Sequence, residues 1–416
     1  MKTKYVLQEI GVGTMRRCFL PVGQGAFYCE SFMVDGMREP VNVLFDCGTL
    51  PRVGMSSRID KALAFALDGI KTIHLAFLSH LHDDHVNGLS LLKEHHQIQI
   101  QEIHYPAISD EDKFLMKFWY KTAGQEKGPA WEFCLEPEVL KRRFPASETK
   151  LVPVEVVDQS SVSEEYTRTG NNPNKVPFPG VVRKNAEVDE GDVNECVFQE
   201  WSFQTFNFRR EKLIRHLKEE LKTSLGLEGD VTDGVLSKKW ETPGGRQLIK
   251  RAYAKVANGD FNANSMVVFS GPTVQAGEEW SQKLICCHSL PCQMNGNLSK
   301  YAPGCLYTGD YDASDDDSWE ELTRFYSHQW NKIGCLQVPH HGACLNFNDK
   351  LLDMNAIFVA SAGANNKYGH PNACVRLAFQ QHNKSLWCVT EHAASCLCTC
   401  VLCRFPHGKR VVTLKF

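Results

Sequence analysis

A run of histidines and aspartates directly after an apolar segment constrains this chain more than any other feature. The apolar segment, residues 73–78, is short and bounded, which is typical of a buried strand. The chain then reads Ser-His-Leu-His-Asp-Asp-His over residues 79–85, so three imidazoles and two carboxylates follow one strand end. A solvated polar loop needs no such alternation. Because imidazole nitrogens and carboxylate oxygens are common zinc ligands, the pattern indicates a metal site at one end of a sheet.

The spacing of these side chains suits two ions side by side. His80 and His82 can reach one ion, while Asp84 and His85 turn toward a second ion about 3.5–4 Å away. Two divalent ions at such a distance activate water near neutral pH and clamp the oxygens of a phosphodiester. We therefore expect two divalent metal ions as cofactors, with Zn²⁺ favoured and Mn²⁺ as the alternative.

The composition is that of an ordinary globular protein. The chain has 416 residues, of which 43% are hydrophobic and 23% charged, enough for one large domain or two ordinary ones. Its net charge of −3 gives no global basic field, so a nucleic-acid partner would need a local patch. No apolar run approaches the ~18 residues of a membrane span, so we expect no membrane association.

Cysteine usage and the amino terminus bear on location. The 17 cysteines are an odd number and include the adjacent pair Cys286-Cys287, which favours a reducing compartment over a disulfide framework. The first residues carry neither a sustained apolar core nor a secretory cleavage pattern. The expected location is the cytoplasm.

Strand and helix patterns alternate around the motif, which favours an α/β layered fold. Residues 41–45 read as a strand that ends at Asp46, residues 57–67 as a helix and 98–103 as a strand. The character changes between about 106 and 200, where aromatic and charged residues mix and then Ser, Pro, Asn and Gly dominate. Long stretches of that kind are usually functional or disordered, so we interpret this one as an insertion.

Three later strands also end in turns that carry histidine or aspartate. The first ends in Thr-Gly-Asp, with Asp310 last, and the second in Pro-His-His-Gly at 339–342. The third is followed by Asn-Asn-Lys-Tyr-Gly-His-Pro at 365–371. Because α/β sheets build their sites at the carboxyl ends of strands, these turns are expected to face the 79–85 motif.

The ordered set of motifs resembles the metallo-β-lactamase superfamily, and within it the domain of the ComEC-type competence proteins of bacterial DNA uptake. The motifs are Gly-Gln-Gly at 23–25, Asp-Cys-Gly-Thr at 46–49, the 79–85 run, Asn-Ala-Asn-Ser at 262–265, and the three turns above. Phosphorylcholine esterases share much of the pattern. The resemblance covers roughly 15–105 and 258–392. It implies one αββα-sandwich domain over 1–416, with a large insertion at about 106–200 and extra helices at about 209–257.

The resemblance also implies a ligand set. His80 and His82 would hold the first ion, Asp84, His85 and His341 the second, and Asp310 would bridge them. Many superfamily members supply another histidine to the first ion. Here Asn264 or water would complete that site, with His288 as a further alternative.

The remaining site residues follow from the same resemblance. Asp46 would support the metal loop from behind, as outer ligand partners do. Asp84 belongs to the catalytic centre as well as to the ligand set. His340 and His370 are not needed as ligands, so either could donate a proton to the leaving oxygen or hydrogen-bond the phosphate. The alternatives are a ligand role for His340 in place of its neighbour and a structural role for His370. Asn366 and Tyr368 would line the pocket.

Two further clusters admit two interpretations each. The basic run from Arg209 to Lys222 is either a solvated helix face, with Glu219 and Glu220 as partners, or a phosphate-facing rim; the first is favoured. Four cysteines near the end are either a zinc site or buried free thiols. Three of them alternate on one strand face, a crowded arrangement for one tetrahedral ion, which favours thiols. The four are Cys396, Cys398, Cys400 and Cys403.

These observations predict a metal-dependent hydrolase that cleaves phosphodiester bonds. A nuclease-like activity on single-stranded nucleic acid is the leading expectation, by family analogy alone. The alternatives are a small-molecule phosphodiesterase or esterase, and a partner-binding component of a bacterial multi-protein system that uses the 106–200 insertion. The membrane channel segments of the competence proteins are missing here, so no role in DNA translocation is implied.

Overall fold

Two sheets stacked face to face make up the centre of the computed structural model. It describes residues 12–34, 39–51, 53–67, 69–136, 139, 149–156, 175–177, 201–257, 261–272 and 301–402. Within these ranges, helices cover the outer face of each sheet. This arrangement is the predicted αββα sandwich, which is confirmed.

The first sheet has seven strands in the order β14-β1-β2-β3-β4-β5-β6. Pairing is antiparallel from β14 to β3 and parallel from β3 to β6. In sheet order, the strands are Leu397–Leu402, Val12–Phe19, Phe27–Val34, Val41–Cys47, Thr72–Phe77, Gln99–Pro106 and Lys150–Val154.

The second sheet repeats this plan in the order β13-β12-β11-β10-β9-β8-β7. Pairing is antiparallel from β7 to β10 and parallel from β10 to β13. In sheet order, the strands are Leu386–Val389, Ile357–Ser361, Ile333–Gln337, Gly304–Tyr307, Asn264–Pro272, Trp201–Arg209 and Lys175–Pro177. Each sheet therefore contains parallel strands, and the loops after their carboxyl ends lie at one edge of that sheet.

Most of the helices described lie outside the first sheet and two outside the second. The first set comprises α1 Met55–Ala66, α2 Asp83–Val86, α3 Leu89–Glu94, α4 Asp110–Ala123, α5 Pro129–Leu135, α6 Glu211–Leu225, α7 Asp233–Glu241 and α8 Pro243–Ala257. The second set is α9 Asp316–Phe325 and α10 Ala373–Gln381. None of the helices in the described ranges is long and apolar enough to cross a membrane.

The core between the sheets is rich in aromatic rings and contains one buried ion pair. Phe45 of β3 stacks on Tyr307 of β10, with ring centroids 3.7 Å apart. Arg17 Nε lies 2.7 Å from Glu30 Oε1, and both side chains are buried. Ser270 and Tyr307 of the second sheet donate hydroxyl hydrogen bonds to Glu30 of the first. Apolar burial and this buried network together lock the two sheets.

The predicted insertion begins with regular structure. Helices α4 and α5 and strand β6 all fall within 106–200, and β6 pairs in parallel with β5. Most of the rest of this stretch, including 178–200, lies outside the described residues. The bounds of the insertion therefore stay a prediction.

The region of extra helices predicted at about 209–257 contains a break before Pro243. The stretch from 234 to 257 forms α7 and α8, separated at Thr242, whose backbone is extended. The cause is Pro243, because a residue before proline is disfavoured in the helical conformation.

Several cations of the basic run from Arg209 to Lys222 pair with carboxylates from other elements. Arg209 Nε lies 2.7 Å from the buried carboxylate of Asp112 on α4. Arg210 pairs with Asp312 at 2.6 Å, and Lys218 pairs with Glu111. The predicted partners Glu219 and Glu220 are not the ones that hold these side chains. Carboxylates far away in sequence do so instead.

Cys398 corrects the interpretation of the terminal cysteines. It forms a disulfide with Cys18, since the two residues face each other on antiparallel strands β14 and β1 with Cα atoms 4.2 Å apart. A second disulfide joins Cys344 and Cys374. The expectation of a free thiol is therefore wrong for Cys398. Cys403 lies outside the described residues, and a cytoplasmic location stays a prediction.

The ion pair of Arg209, the last residue of β8, gives a test of how this strand end packs on α4. The Arg209→Ala variant should lower the free energy of unfolding by about 3 kcal/mol, because it leaves the buried Asp112 carboxylate without its cation. Urea unfolding followed by circular dichroism measures the change. The control is Arg215→Ala on the following helix α6, an exposed position where a change within about 0.5 kcal/mol is expected. Equal effects of the two substitutions would contradict the assigned role of Arg209.

Candidate metal centre

Loops from both sheets bring two groups of histidine and aspartate together. The first group joins side chains that follow β4 and β10, and the second joins side chains that follow β4 and β11. In each group, one ligand atom per residue lies within 4.8 Å of the others. The groups are His80, His82 and Asp310, and Asp84, His85 and His341. The structure thus assembles in space all six residues predicted as ligands, and binding itself stays a prediction.

The carboxylate of Asp310 lies between the two groups. Its Oδ2 is 3.2 Å from His80 Nε2 in the first group, and its Oδ1 is 3.5 Å from His85 Nε2 in the second. Asp84 Oδ2 lies 3.3 Å from His341 Nε2. The geometry therefore lets Asp310 serve both groups at once, as expected of a bridging ligand.

Hydrogen bonds fix which ring nitrogen of each histidine is available. His82 Nε2 lies 3.2 Å from the carbonyl oxygen of Phe261, and His341 Nδ1 lies 2.7 Å from that of Ser361. A carbonyl oxygen only accepts, so these nitrogens carry the hydrogen and donate. The opposite nitrogen of each ring keeps its lone pair, which is the form that binds a metal ion.

Buried polar atoms in the centre indicate that these residues fit divalent ions. His80 Nε2, His85 Nε2, His341 Nε2 and Asp310 Oδ1 are buried and have no hydrogen-bond partner. Such atoms are rare in folded proteins and call for an explanation. Imidazole nitrogen and carboxylate oxygen are the donor set of zinc and related ions, so bound cations would satisfy all of these atoms.

Charges in the centre shift the pKa of its histidines in opposite directions. Burial, reinforced by the neighbouring His85, lowers the pKa of His80 to about 4. Burial also acts to lower the pKa of His85, but Asp46 and Asp310 outweigh it and raise that pKa to about 10. Around Asp84, burial is outweighed by His341 and His85, which hold its pKa below the usual range. The centre thus keeps its carboxylates ionised.

Asp46 organises the loop that carries four of the ligands. It lies at the end of β3 with a φ of +53°, a left-handed conformation that aspartate tolerates better than most residues. Its carboxylate accepts hydrogen bonds from the backbone nitrogen and the hydroxyl of Ser79, both at 2.7 Å, and from His85 Nδ1 at 2.8 Å. Gly48 is required nearby, because a Cβ there would lie 2.4 Å from the backbone of Asp84. These contacts place Asp46 behind the loop, and its role in supporting metal ligands stays a prediction.

The turn after β11 presents two histidines through strained backbone. His340 and His341 both have left-handed φ values, +46° and +57°, which cost of order 1–3 kcal/mol each for residues other than glycine. His341 joins the second group, while His340 Nε2 lies 3.5 Å from Asp310 Oδ2. Asn346 Oδ1 accepts from His340 Nδ1 at 2.8 Å. No sequence pattern pointed to Asn346.

His370 lies beside the centre in a turn built by Asn366. Its ring centroid is 5.6 Å from that of His340 and 6.1 Å from that of His341. Burial and these two histidines lower the pKa of His370 to about 4. Asn366 accepts from the backbone nitrogen of His370 and donates to its carbonyl oxygen. The contacts of Asn366 thus shape the turn, and Tyr368 stacks on His370 with a ring 46% exposed.

Asn264 and His288 were the two residues predicted as alternatives to complete the first group. Asn264 donates to Asn207 Oδ1 at 3.2 Å, and its own Oδ1 is buried without a partner. A role for Asn264 in completing the first group stays a prediction. His288 lies outside the described residues.

An aromatic residue of α4 was missed as part of the site. The indole of Trp119 stacks on His82 with ring centroids 4.9 Å apart. The only hint in the sequence was the aromatic content of a stretch interpreted as an insertion, and no spacing rule connects that stretch with residue 82.

The two-sheet sandwich carries groups of histidine and aspartate at the ends of its parallel strands. Residues 25–174, which are 150 of the 416 residues, match the family described as the metallo-beta-lactamase superfamily. This match and the two groups support divalent metal binding. The match includes the ligands that follow β4, whereas Asp310 and His341 rest on the geometry.

Comparisons beyond the family add little. No curated protein sequence matches the chain significantly. Human tRNase Z, short form, is 12% identical, with 90% of this chain and 92% of that chain covered and a TM-score of 0.34. Unliganded yeast PDE1 is 9% identical, with coverages of 94% and 99% and a TM-score of 0.39. Structural overlaps this low carry no argument about the activity of this chain.

Asp46 can be tested without altering any proposed ligand. The Asp46→Asn variant keeps the shape and tolerates the left-handed backbone, but it removes the charge beside His85. Metal affinity should fall about 10- to 100-fold, the usual effect of losing an outer partner of a ligand. Competition with a chromophoric chelator measures this affinity. The control is Asp60→Asn, a carboxylate on α1 that contacts His96, and unchanged affinity in Asp46→Asn would refute the assignment.

Proposed function

We propose that this chain is a metal-dependent hydrolase that cleaves phosphodiester bonds at a dinuclear centre. The observation that supports it is the position of the Asp310 carboxylate between the two ligand groups. His80, His82 and Asp310 would hold one ion, and Asp84, His85, His341 and Asp310 the other. Bound ions would supply water activation and neutralise charge on the phosphate. Zn²⁺ suits this nitrogen and oxygen donor set, with Mn²⁺ as the alternative.

The two histidines outside the ligand groups are the candidates for proton transfer. His340 keeps its side chain 20% exposed, so a substrate can reach it while its ring stays 5.6 Å from that of His370. We assign to this pair the donation of a proton to the leaving oxygen, or a hydrogen bond to a phosphate oxygen.

A row of rings leads from the centre to the surface. His341 and His370 are nearly parallel at 23°, and His370 and Tyr368 at 21°. Lys367 Nζ lies 4.9 Å from the centroid of the Tyr368 ring. An exposed aromatic face with a cation beside it suits an ester that carries a negative phosphate and a planar group. Tyr368 is therefore proposed as a substrate contact.

Ion pairs in the basic run from Arg209 to Lys222 favour a small phosphodiester substrate over a nucleic-acid strand. A strand would be held over several phosphates by clustered lysine and arginine. Arg209, Arg210 and Lys218 instead bind carboxylates of the protein itself. The alternative substrate is single-stranded nucleic acid, in line with the resemblance to the ComEC-type domain. A protein partner at 106–200 also remains a proposal, since most of that stretch lies outside the described residues.

Replacing Asp310 tests the shared carboxylate. The Asp310→Asn variant should lose metal and activity together, starting from about two ions per chain, since one carboxylate serves both groups. Elemental analysis gives the metal content, and cleavage of bis(p-nitrophenyl) phosphate and of a single-stranded oligonucleotide gives the activity. Asp312→Asn, two residues away and paired with Arg210, is the control that should keep both ions. A metal-free Asp310→Asn protein with full activity would end the dinuclear proposal. Preference for the oligonucleotide would restore the nuclease reading.

Replacing His370 tests its place outside the ligand set. The His370→Ala variant should keep both ions and lower kcat by roughly 10²-fold, the scale of a general acid or base. Metal content and kcat are measured on the same preparation. His382→Ala, an exposed histidine of the region after α10, should change neither. If the metal content of His370→Ala falls in step with kcat, then His370 is a ligand.

A further inference from the structure

The indole of Trp119 lies flat against the imidazole of His82. Their ring planes are 23° apart, their centroids are separated by 4.9 Å, and Trp119 is only 8% exposed. Such a stack stabilises a pair of aromatic rings beyond the burial of their surfaces. The contact is therefore fixed within the packed interior.

The stack on Trp119 adds to a hydrogen bond of His82 that is longer than those of two other ligands. His85 and His341 are tied by hydrogen bonds of 2.8 and 2.7 Å, whereas the bond from His82 to Phe261 is 3.2 Å. A bond at that length is at the weak end of the range. The rings of His80 and Tyr120 lie edge-on to His82, with centroids 4.7 and 6.5 Å away. Trp119 stacks flat on the imidazole, and this face restricts rotation of the ring.

Helix α4 holds the neighbouring backbone as well as the ring. Tyr120 Oη donates a hydrogen bond of 2.7 Å to the carbonyl oxygen of Leu81, the residue between His80 and His82. The helix itself is anchored elsewhere by the Arg209–Asp112 pair and by the packing of Phe118 on Trp240. It is thus a fixed support for this ligand pair.

We propose that Trp119 is a positioning residue that holds His82 with its Nδ1 lone pair toward Asp310. Since Nε2 of His82 donates to Phe261, Nδ1 is the atom left for a metal ion. Loss of the indole would let the ring turn away and weaken the first group alone. The inference rests on the proposed metal-binding function, and it adds α4 to the elements that build the centre.

Metal titration of the full chain tests this role directly. Co²⁺ in competition with a chelator should show two ions bound by the natural chain. In Trp119→Ala, one ion should bind about 10- to 100-fold more weakly and the other as before. Trp119→Phe, which keeps a flat ring, should restore most of the affinity. In a His82→Ala background, Trp119→Ala should add no further loss, because the positioned ring is gone.

Two comparisons separate positioning from a general loss of stability. Trp330→Ala removes a tryptophan that packs edge-on against Trp319 outside the second sheet, and it should leave both affinities unchanged. If Trp119→Ala does not fold, Trp119→Leu fills the space without a flat face and should still bind one ion at least tenfold more weakly than Trp119→Phe. Equal affinity in the Leu, Phe and natural chains would overturn the role of Trp119 alone. A natural chain that binds no ion would overturn the proposed function and this inference together.

Discussion

The carboxylate of Asp310 is the charge around which the structure is arranged. It is almost fully buried, and an ionised carboxylate removed from water costs several kcal/mol unless positive charge surrounds it. His80, His85 and His340 each direct a nitrogen toward it at 3.2–3.5 Å. Hydrogen bonds to Asp46 and Asn346 hold the opposite nitrogens of His85 and His340, so the nitrogens that face Asp310 are the ones that would bind a cation. A shared cation would satisfy the carboxylate and the imidazoles at once.

The two stacked sheets bring the histidine and aspartate groups together at one edge of the sandwich. His80 follows a strand of the first sheet and Asp310 a strand of the second, so neither sheet alone could build the centre. The Phe45–Tyr307 stack and the Arg17–Glu30 network hold the sheets in register. Strain at the His340-His341 turn is tolerated because the surrounding packing and hydrogen bonds fix it. Stability and function are therefore coupled through the inter-sheet core.

Much of the fold could be predicted from the sequence because its signals are local. Strands such as Val41–Cys47 and Thr72–Phe77 are short apolar runs with turn residues after them, and the ordered motifs indicated the sandwich. The ligand set came with the resemblance and not from spacing alone. What the sequence could not predict depends on pairs far apart along the chain. Cys18 and Cys398 are separated by 380 residues, and nothing in the alternation of the cysteines identifies that partner. The same holds for Trp119 and His82, since no sequence periodicity relates a residue of helix α4 to a histidine in the loop after β4.

In the proposed dinuclear centre, both ligand groups share the carboxylate of Asp310. Anomalous scattering from crystals of the full chain grown with Zn²⁺, recorded on both sides of the zinc edge, tests this sharing. Two peaks about 3.5–4 Å apart are expected, one beside His82 and one beside His341, with the Asp310 carboxylate between them. A single peak, or two peaks that do not share Asp310, would contradict it.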